Sequence, residues 1–153
     1  MAIPELIPIA RIPGYRTDTI GRYDGGQFLA YVTGARREGL QGDPDWRKHK
    51  PWYAVLHRFD LAGVRTDSRI WSPGPGIRDG LTDRLTEWLE ELPGRVYGDI
   101  AIRPFELTYD GIRFGLILES HGEYVDGAEE LDWAELYPGR LGFSAPWDGS
   151  YDT

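Results

Sequence analysis

The sequence predicts an α+β fold in which a mainly antiparallel sheet, built from hairpins, carries one long amphipathic helix packed on one face. Two observations lead to this class. Several segments alternate apolar and polar residues around glycine-containing turns, as hairpins do, and one other segment repeats its apolar residues at helical spacing. The 20 glycines and 11 prolines are spread along the chain as turn residues, with no internal repeat.

The first predicted hairpin spans residues 19–32. Its turn is Asp24-Gly25, a dipeptide that accepts the positive φ angles of a tight two-residue turn. The resulting register places Gly21 opposite Phe28, so that an aromatic ring can cover a bare glycine.

Two further hairpins are predicted over residues 52–71 and 105–118. The second of these turns at Asp110-Gly111. Because side chains alternate with a period of two, this turn places three apolar pairs on one face of the sheet and leaves the other face wet. The pairs are Tyr109 with Ile112, Leu107 with Phe114, and Phe105 with Leu116.

The long helix is predicted after residue 80. Its apolar stripe follows the spacing i, i+4, i+7, i+8, i+11 and consists of Leu81, Leu85, Trp88, Leu89 and Leu92. We expect Asp79 to cap its first turn and Pro93-Gly94 to end it, with the stripe docked on the apolar face of the sheet.

The rest of the chain is expected to complete a single domain, residues 1–153. A short helix or turn is predicted over residues 127–136. Residues 137–153 are predicted to form an irregular tail that is ordered, because it carries large rings that disordered tails seldom contain.

The charges are unevenly distributed along the chain. Residues 1–78 hold 12 basic and 8 acidic side chains, whereas residues 119–153 hold 9 acidic side chains and only Arg140 as a base. The acidic segment could pack against the basic front, meet a basic protein partner by electrostatic steering, or bind a divalent cation. The formal net charge of −8 argues against nucleic-acid or anionic-membrane binding.

Composition excludes several classes of chemistry. The chain has no cysteine, which removes disulfides, thiolate zinc sites and a cysteine nucleophile. No apolar run is long enough for a membrane span and the first residues lack signal-peptide features, so we expect a cytoplasmic protein. We predict no cofactor and assign no metal site, and the oligomeric state stays open.

Three residues are candidate catalytic groups. His57 lies on a predicted strand on the same side as Tyr53 and Phe59, where it could instead be a structural histidine. Glu119 and His121 are spaced so that a continued strand would place them on one side, as an acid/base pair or as metal ligands. A charged, solvated strand end explains the same spacing.

The candidate binding residues lie in the last third of the chain. Aromatic side chains there could anchor a partner, and acidic side chains could steer it. The residues are Trp133, Trp147, Tyr151, Asp126, Glu129, Glu130 and Asp132. A solvated acidic face and core aromatics are the alternatives.

Several strings, taken together, resemble a family of small actinobacterial proteins labelled "formate hydrogenlyase regulatory protein". They are GYRT (14–17), IGRYDGGQF (20–28), YAVLH (53–57), YGDIAIRPF (97–105), WAELYP (133–138) and PWDGSYDT (146–153). The resemblance spans almost the whole chain. It implies a regulatory binding protein and assigns no functional residue.

Two functions follow as hypotheses. The first is a non-catalytic, regulatory or immunity-like module that binds a protein with a basic surface through its acidic, aromatic C-terminal region. The second is a small-molecule enzyme of the natural-product tailoring type, with a pocket lined by Trp and Tyr that contains a histidine and a carboxylate within hydrogen-bond reach.

Overall fold

The protein is mainly β, so the predicted α+β class is wrong. A computed structural model describes residues 3–35, 42, 44–120 and 132–152. Of these residues 44% are in strands and only 11% in helices, which leaves no long helix to form a layer of its own. The strands are β1 Ile7–Ile9, β2 Ile20–Tyr23, β3 Gly26–Gly34, β4 Trp52–Phe59, β5 Arg65–Trp71, β6 Val96–Tyr97, β7 Ile100–Ile102, β8 Phe105–Tyr109, β9 Ile112–Glu119, β10 Trp133–Tyr137 and β11 Leu141–Phe143. The helices are α1 Trp46–His49 and α2 Leu81–Glu90.

The strands form three antiparallel sheets. The first has the order β5-β4-β3-β2-β6, the second has the order β11-β10-β9-β8, and the third pairs β1 with β7. The predicted registers of two hairpins are confirmed: Gly21 lies opposite Phe28, and the 105–118 hairpin pairs the residues expected. These registers were predictable because a two-residue turn decides them locally.

Side chains of the five-stranded sheet enter apolar cores on both of its faces. On one face, β3 and β4 pack against α2 through a cluster that includes Phe28, Ala30 and Leu56. On the other face, the same two strands meet the remaining sheets through residues such as Leu29, Val55 and Phe59. Because both faces of the five-stranded sheet are covered, six of the eight residues of β4 are buried. The five-stranded sheet is therefore the middle layer of the molecule.

Helix α2 lies where a helix was expected, but it differs from the prediction in three respects. It has only ten residues, or about 15 Å. Its N-cap is Gly80 in a left-handed conformation rather than Asp79, and no side chain caps it. Its buried leucines pack on β3 and β4 of the five-stranded sheet rather than on the 105–118 hairpin, because the apolar face of that hairpin is already covered by residues of β3 and β4.

The helix or turn predicted over residues 127–136 is wrong for its described part, since Trp133–Tyr137 is strand β10. Ala134 and Leu136 lie on the face toward the apolar core and alternate with Trp133, Glu135 and Tyr137 on the other face, a period of two. Pairing with β9 and β11 on either side decides the conformation. Residues 127–131 lie outside the described residues.

The segment after β10 is tied to the body of the protein. It contains β11, and Gly142 and Asp152 form an isolated bridge through two backbone hydrogen bonds of 2.8 and 2.9 Å. The Ala10 N–H donates to the Gly149 carbonyl at 3.0 Å. Gly149 has a positive φ of 91°, and a Cβ there would press on the Ala10 backbone, so only glycine allows this close approach.

Candidate functional site

A groove runs along the second half of β3. It has a volume of about 960 Å³, near the upper end of the range of small-molecule sites. Its floor is formed by residues 32–35. Its walls are formed by Lys50 and Trp52 at the start of β4, by residues 110–113 of the β8–β9 hairpin, and by the 137–140 turn with Arg16. We call this cavity the β3 groove.

Turns bring the groove residues together from distant parts of the chain. Asp110 takes a φ of 54° and Arg140 a φ of 58°, both in the left-handed region. Asp110 occupies the first position of its two-residue turn, where a positive φ is required. The Tyr53 hydroxyl donates to the Asp110 carboxylate at 3.0 Å, which holds that hairpin against β4.

The groove is lined by more cations than anions. The described part of the lining contains the cations Arg16, Lys50, Arg113 and Arg140 and one carboxylate, Asp110. The ion pairs of Arg113 and Arg140, with Glu106 and Glu135 at 2.9 Å each, use carboxylates that do not line the groove. The hydrogen bond from Arg140 to Glu135 also raises the pKa of Arg140, so this guanidinium stays charged.

Arg16 differs from the other two arginines of the groove. It is exposed and forms no ion pair with any residue in the described part of the chain. Its guanidinium lies against the Cα of Gly139, where a Cβ would collide with it. It is also close enough to Tyr31 for its charge to oppose the rise that burial causes in the pKa of that hydroxyl.

Two aromatic rings, those of Trp52 and Tyr137, contact basic side chains in the groove or beside it. The ring of Trp52 has Lys50 Nζ at 4.6 Å and the Arg78 guanidinium at 4.0 Å from its centroid. The ring of Tyr137 has the guanidinium groups of Arg113 and Arg140 at 5.0 and 5.6 Å. The attraction between cation and ring quadrupole orients the cations around the groove.

A smaller cavity of about 280 Å³ adjoins the groove. It shares Arg16, Val32 and Gly139 with the groove and reaches under α2 at Leu85. Arg16 therefore stands at the junction of two cavities.

His57 lies outside both cavities. It is fully buried on β4 between Tyr31, whose hydroxyl is 3.0 Å from Nε2, and Ser68, whose Oγ is 2.7 Å from Nδ1. The ring of Phe105 lies edge-on to it at 4.7 Å. Burial, followed by the nearby charge of Arg65, lowers the pKa of His57 to about 3, with Asp67 opposing. The ring is therefore neutral at neutral pH and has hydroxyl partners rather than a carboxylate.

Glu119 lies on the outer face of the four-stranded sheet. The Tyr137 hydroxyl donates to it at 2.6 Å, and Trp133 lies opposite on β10. Burial, then hydrogen bonds with Glu119 and Glu135, raise the pKa of the Tyr137 hydroxyl. The structure therefore joins Glu119 to a tyrosine and not to His57. His121, the other half of the predicted acid/base pair, lies outside the described residues.

The predicted binding residues fall into two groups: four that the structure describes, and three that lie outside the described residues. Trp147 and Tyr151 are half-buried against the core, and the ring of Tyr151 lies 5.9 Å from that of Phe143. Trp133 and Asp132 are also half-buried, and the Trp133 indole donates to Glu135 at 3.3 Å. The remaining predicted residues, Asp126, Glu129 and Glu130, lie outside the described residues.

The basic residues of the groove were not among the residues predicted from the sequence. The signal for them was the excess of basic residues in the first 78 positions, which include Arg16 and Lys50. Nothing in the spacing of these residues with Arg113 and Arg140 indicates that they converge, because they meet only when three separate turns pack around β3.

Among the described residues, no group of three or more His, Cys, Asp or Glu side chains is placed to hold a metal ion. No helix in the described ranges is long and apolar enough to cross a membrane.

Comparison with known proteins found no matching protein-family model, no matching curated protein and no matching solved structure.

Proposed function

We propose that this chain is a non-catalytic binding protein and that its β3 groove takes an anionic partner. The observation that carries the proposal is that, among the described residues, four basic side chains and one carboxylate line one groove, in a chain of net charge −8. A bound anion would be attracted by these cations, of which Arg16 forms no ion pair with any described residue.

The chemistry of the lining supports binding over catalysis. The described lining contains no histidine, and its one carboxylate, Asp110, already accepts a hydrogen bond from Tyr53. His57 is buried away from the groove. General acid/base work needs a titrating group within reach of the substrate, and these residues do not supply one. The resemblance to a regulatory family favours the same choice.

Binding to a basic protein through the C-terminal aromatics is not part of this proposal. Trp147 and Tyr151 pack against the core, so their rings are only partly available to a partner.

The proposal is tested by titrating the protein with citrate and with acetyl-hexaglutamate amide at low ionic strength, followed by calorimetry. Arg16→Ser and Arg140→Ser should each weaken binding of the peptide about tenfold, and added salt should weaken it further because the groove is open to water. Arg103→Ser is the matched control, since Arg103 is an exposed arginine outside the groove.

The control should bind like the unaltered protein. If neither ligand binds, or if Arg103→Ser loses as much affinity as the groove variants, the proposal is wrong. Thermal melting of each variant separates a loss of binding from a loss of folding.

A further inference from the structure

The floor of the β3 groove is the side of a strand that has no neighbour. Strand β2 pairs with β3 only from Gly26 to Leu29, because the chain before Ile20 turns away through residues 12–18. Among the described residues, the last backbone hydrogen bond on this side runs from the Ala30 N–H to the Thr19 carbonyl at 3.0 Å. Beyond Ala30, no described strand lies beside β3 on its β2 side.

The backbone groups of Val32 and Gly34 point to this open side. In an antiparallel pair, alternate residues direct their N–H and C=O groups to opposite neighbours. The Ala35 N–H donates to the Pro51 carbonyl on the β4 side at 3.1 Å, whereas the Ala30 N–H points the other way. The even-numbered residues Val32 and Gly34 therefore direct their groups into the groove. We call them the β3 free edge.

One of these groups already has a partner. The Thr33 hydroxyl donates to the Gly34 carbonyl at 3.1 Å. The Val32 N–H, the Val32 C=O and the Gly34 N–H have no hydrogen-bond partner among the described residues. An unpaired edge of this kind is a template for another strand.

Both walls above the free edge carry basic side chains, and the wall that contains Arg113 also carries Asp110. Lys50 lies across Gly34, where the missing Cβ leaves room for its stem, and Trp52 lies beside it. Arg113 and Arg140 stand on the opposite wall around Tyr137. A strand presents its side chains alternately to two sides, so acidic side chains on either side of an added strand would meet a cation.

Taking the groove as the binding site proposed above, we infer that its occupant is an extended acidic peptide segment that adds a strand to β3 at Val32 and Gly34. The chain would lie in the plane of the five-stranded sheet, where β2 would continue if it were longer. Main-chain hydrogen bonds to the free edge would hold it, and the cations of both walls would select carboxylate side chains.

The length of the edge limits the length of the peptide. Residues 32–35 span about 13 Å at roughly 3.3 Å per residue, which is room for about four residues in strand conformation. A segment of four to six residues is therefore sufficient.

The test compares acetyl-hexaglutamate amide with the same peptide N-methylated at every internal amide. Both carry the same charge, but the methylated peptide cannot donate to the free edge and clashes with it. We expect calorimetry to show 1:1 binding of the first peptide and at least tenfold weaker binding of the second.

A variant of the protein tests the same main-chain hydrogen bonds by changing β3 instead of the peptide. Val32→Pro removes the N–H that faces the groove and leaves intact the hydrogen bonds of β3 with β4, which the odd-numbered residues make. It should weaken binding of the unmethylated peptide at least tenfold. If this variant does not fold, the methylated peptide decides alone.

The outcomes distinguish the inference from the proposed function. Equal binding of both peptides, dependent on Arg16, would show an anion-binding groove without strand addition and overturn the inference alone. Citrate binding without peptide binding would overturn it too. A concentration-dependent dimer that Val32→Pro abolishes would identify a second copy as the occupant. If no anion binds, both proposals are wrong.

Discussion

At the scale of single residues, His57 is the most unusual group. It is a fully buried imidazole bridging two hydroxyls, from Tyr31 and Ser68, between the two larger sheets. Arg65 donates to the same Ser68 oxygen at 3.2 Å, which places a positive charge near the ring. A protonated imidazole would be buried without a carboxylate to pair with it, and burying such a charge costs free energy.

The pKa of His57 makes the stability of the fold depend on pH. A histidine in an unfolded chain titrates near pH 6.5, whereas the folded-state pKa is lowered to about 3. Below about pH 6.5 the unfolded state therefore binds a proton that the folded state does not. The stabilisation from the neutral ring is complete above about pH 6.5 and is lost as the pH falls toward 3.

We predict that His57→Gln flattens this dependence. Between pH 6 and pH 4 the free energy of unfolding should fall by up to about 1.4 kcal/mol per pH unit more in the unaltered protein than in His57→Gln, since one proton differs between the two states. Urea unfolding at four pH values measures the slopes. The exposed His49→Gln is the control and should keep the steeper slope; equal slopes in all three proteins would contradict the prediction.

At the scale of elements, α2 shows how a short helix is stabilised. Ten residues are too few for a helix that is stable alone in water, and α2 lacks a side-chain N-cap. Leu81, Leu85 and Leu89 are buried on one side, against Phe28 and Leu56 of the five-stranded sheet. The packing of the apolar stripe therefore stabilises α2, and the capping and intrinsic propensity of the helix do not.

We predict that Leu85→Ala lowers the free energy of unfolding by about 2–5 kcal/mol, because it removes a buried side chain and leaves a cavity. Glu87→Ala, on the exposed side of the same helix, is the matched control and should change stability by less than about 0.5 kcal/mol. Urea unfolding at neutral pH measures both. A similar small effect for the two variants would mean that α2 is not docked through this stripe.

At the scale of the whole molecule, the five-stranded sheet joins the apolar cores. Alternate residues of β4 enter different clusters: Leu56 packs with α2, Val55 with the β8–β9 hairpin, and Phe59 with β1 and β7. Because β4 contributes residues to all three clusters, displacing it from one cluster would disrupt the other two. The cores should therefore form and break together.

We predict a single unfolding transition, which is also the test of the single-domain prediction for residues 1–153. Tryptophan fluorescence and far-ultraviolet circular dichroism should give the same urea midpoint. The fluorescence reports on side-chain packing on both faces of the five-stranded sheet, through indoles such as Trp52 and Trp147, while the dichroism reports on the strands. Two separate midpoints would mean that the cores unfold independently.

The location of the basic groove also becomes visible only at the scale of the whole molecule. The excess of basic residues in the first 78 positions and the acidic excess after residue 119 are features of the sequence. Folding brings Arg16 and Lys50 from the first region together with Arg113 and Arg140 from later in the chain. A basic groove thus forms on an acidic protein, and neither net charge nor charge runs indicate where it lies.

The sequence by itself determined the local features of this protein. The Asp24-Gly25 and Asp110-Gly111 turns specified two hairpin registers, and the leucine stripe located α2. Each depends on residues that are neighbours in the chain, so short-range conformational preferences are enough. Even the structural interpretation of His57 required only the alternation of side chains along one strand.

Only the tertiary structure decided the rest. The fold class, the strand conformation of β10 and the layer against which α2 packs depend on which sheets face each other. The β3 groove depends on β2 ending before β3 and on three turns meeting around the uncovered edge. Such arrangements follow from burying apolar surface between segments far apart in sequence, and no local pattern encodes that choice.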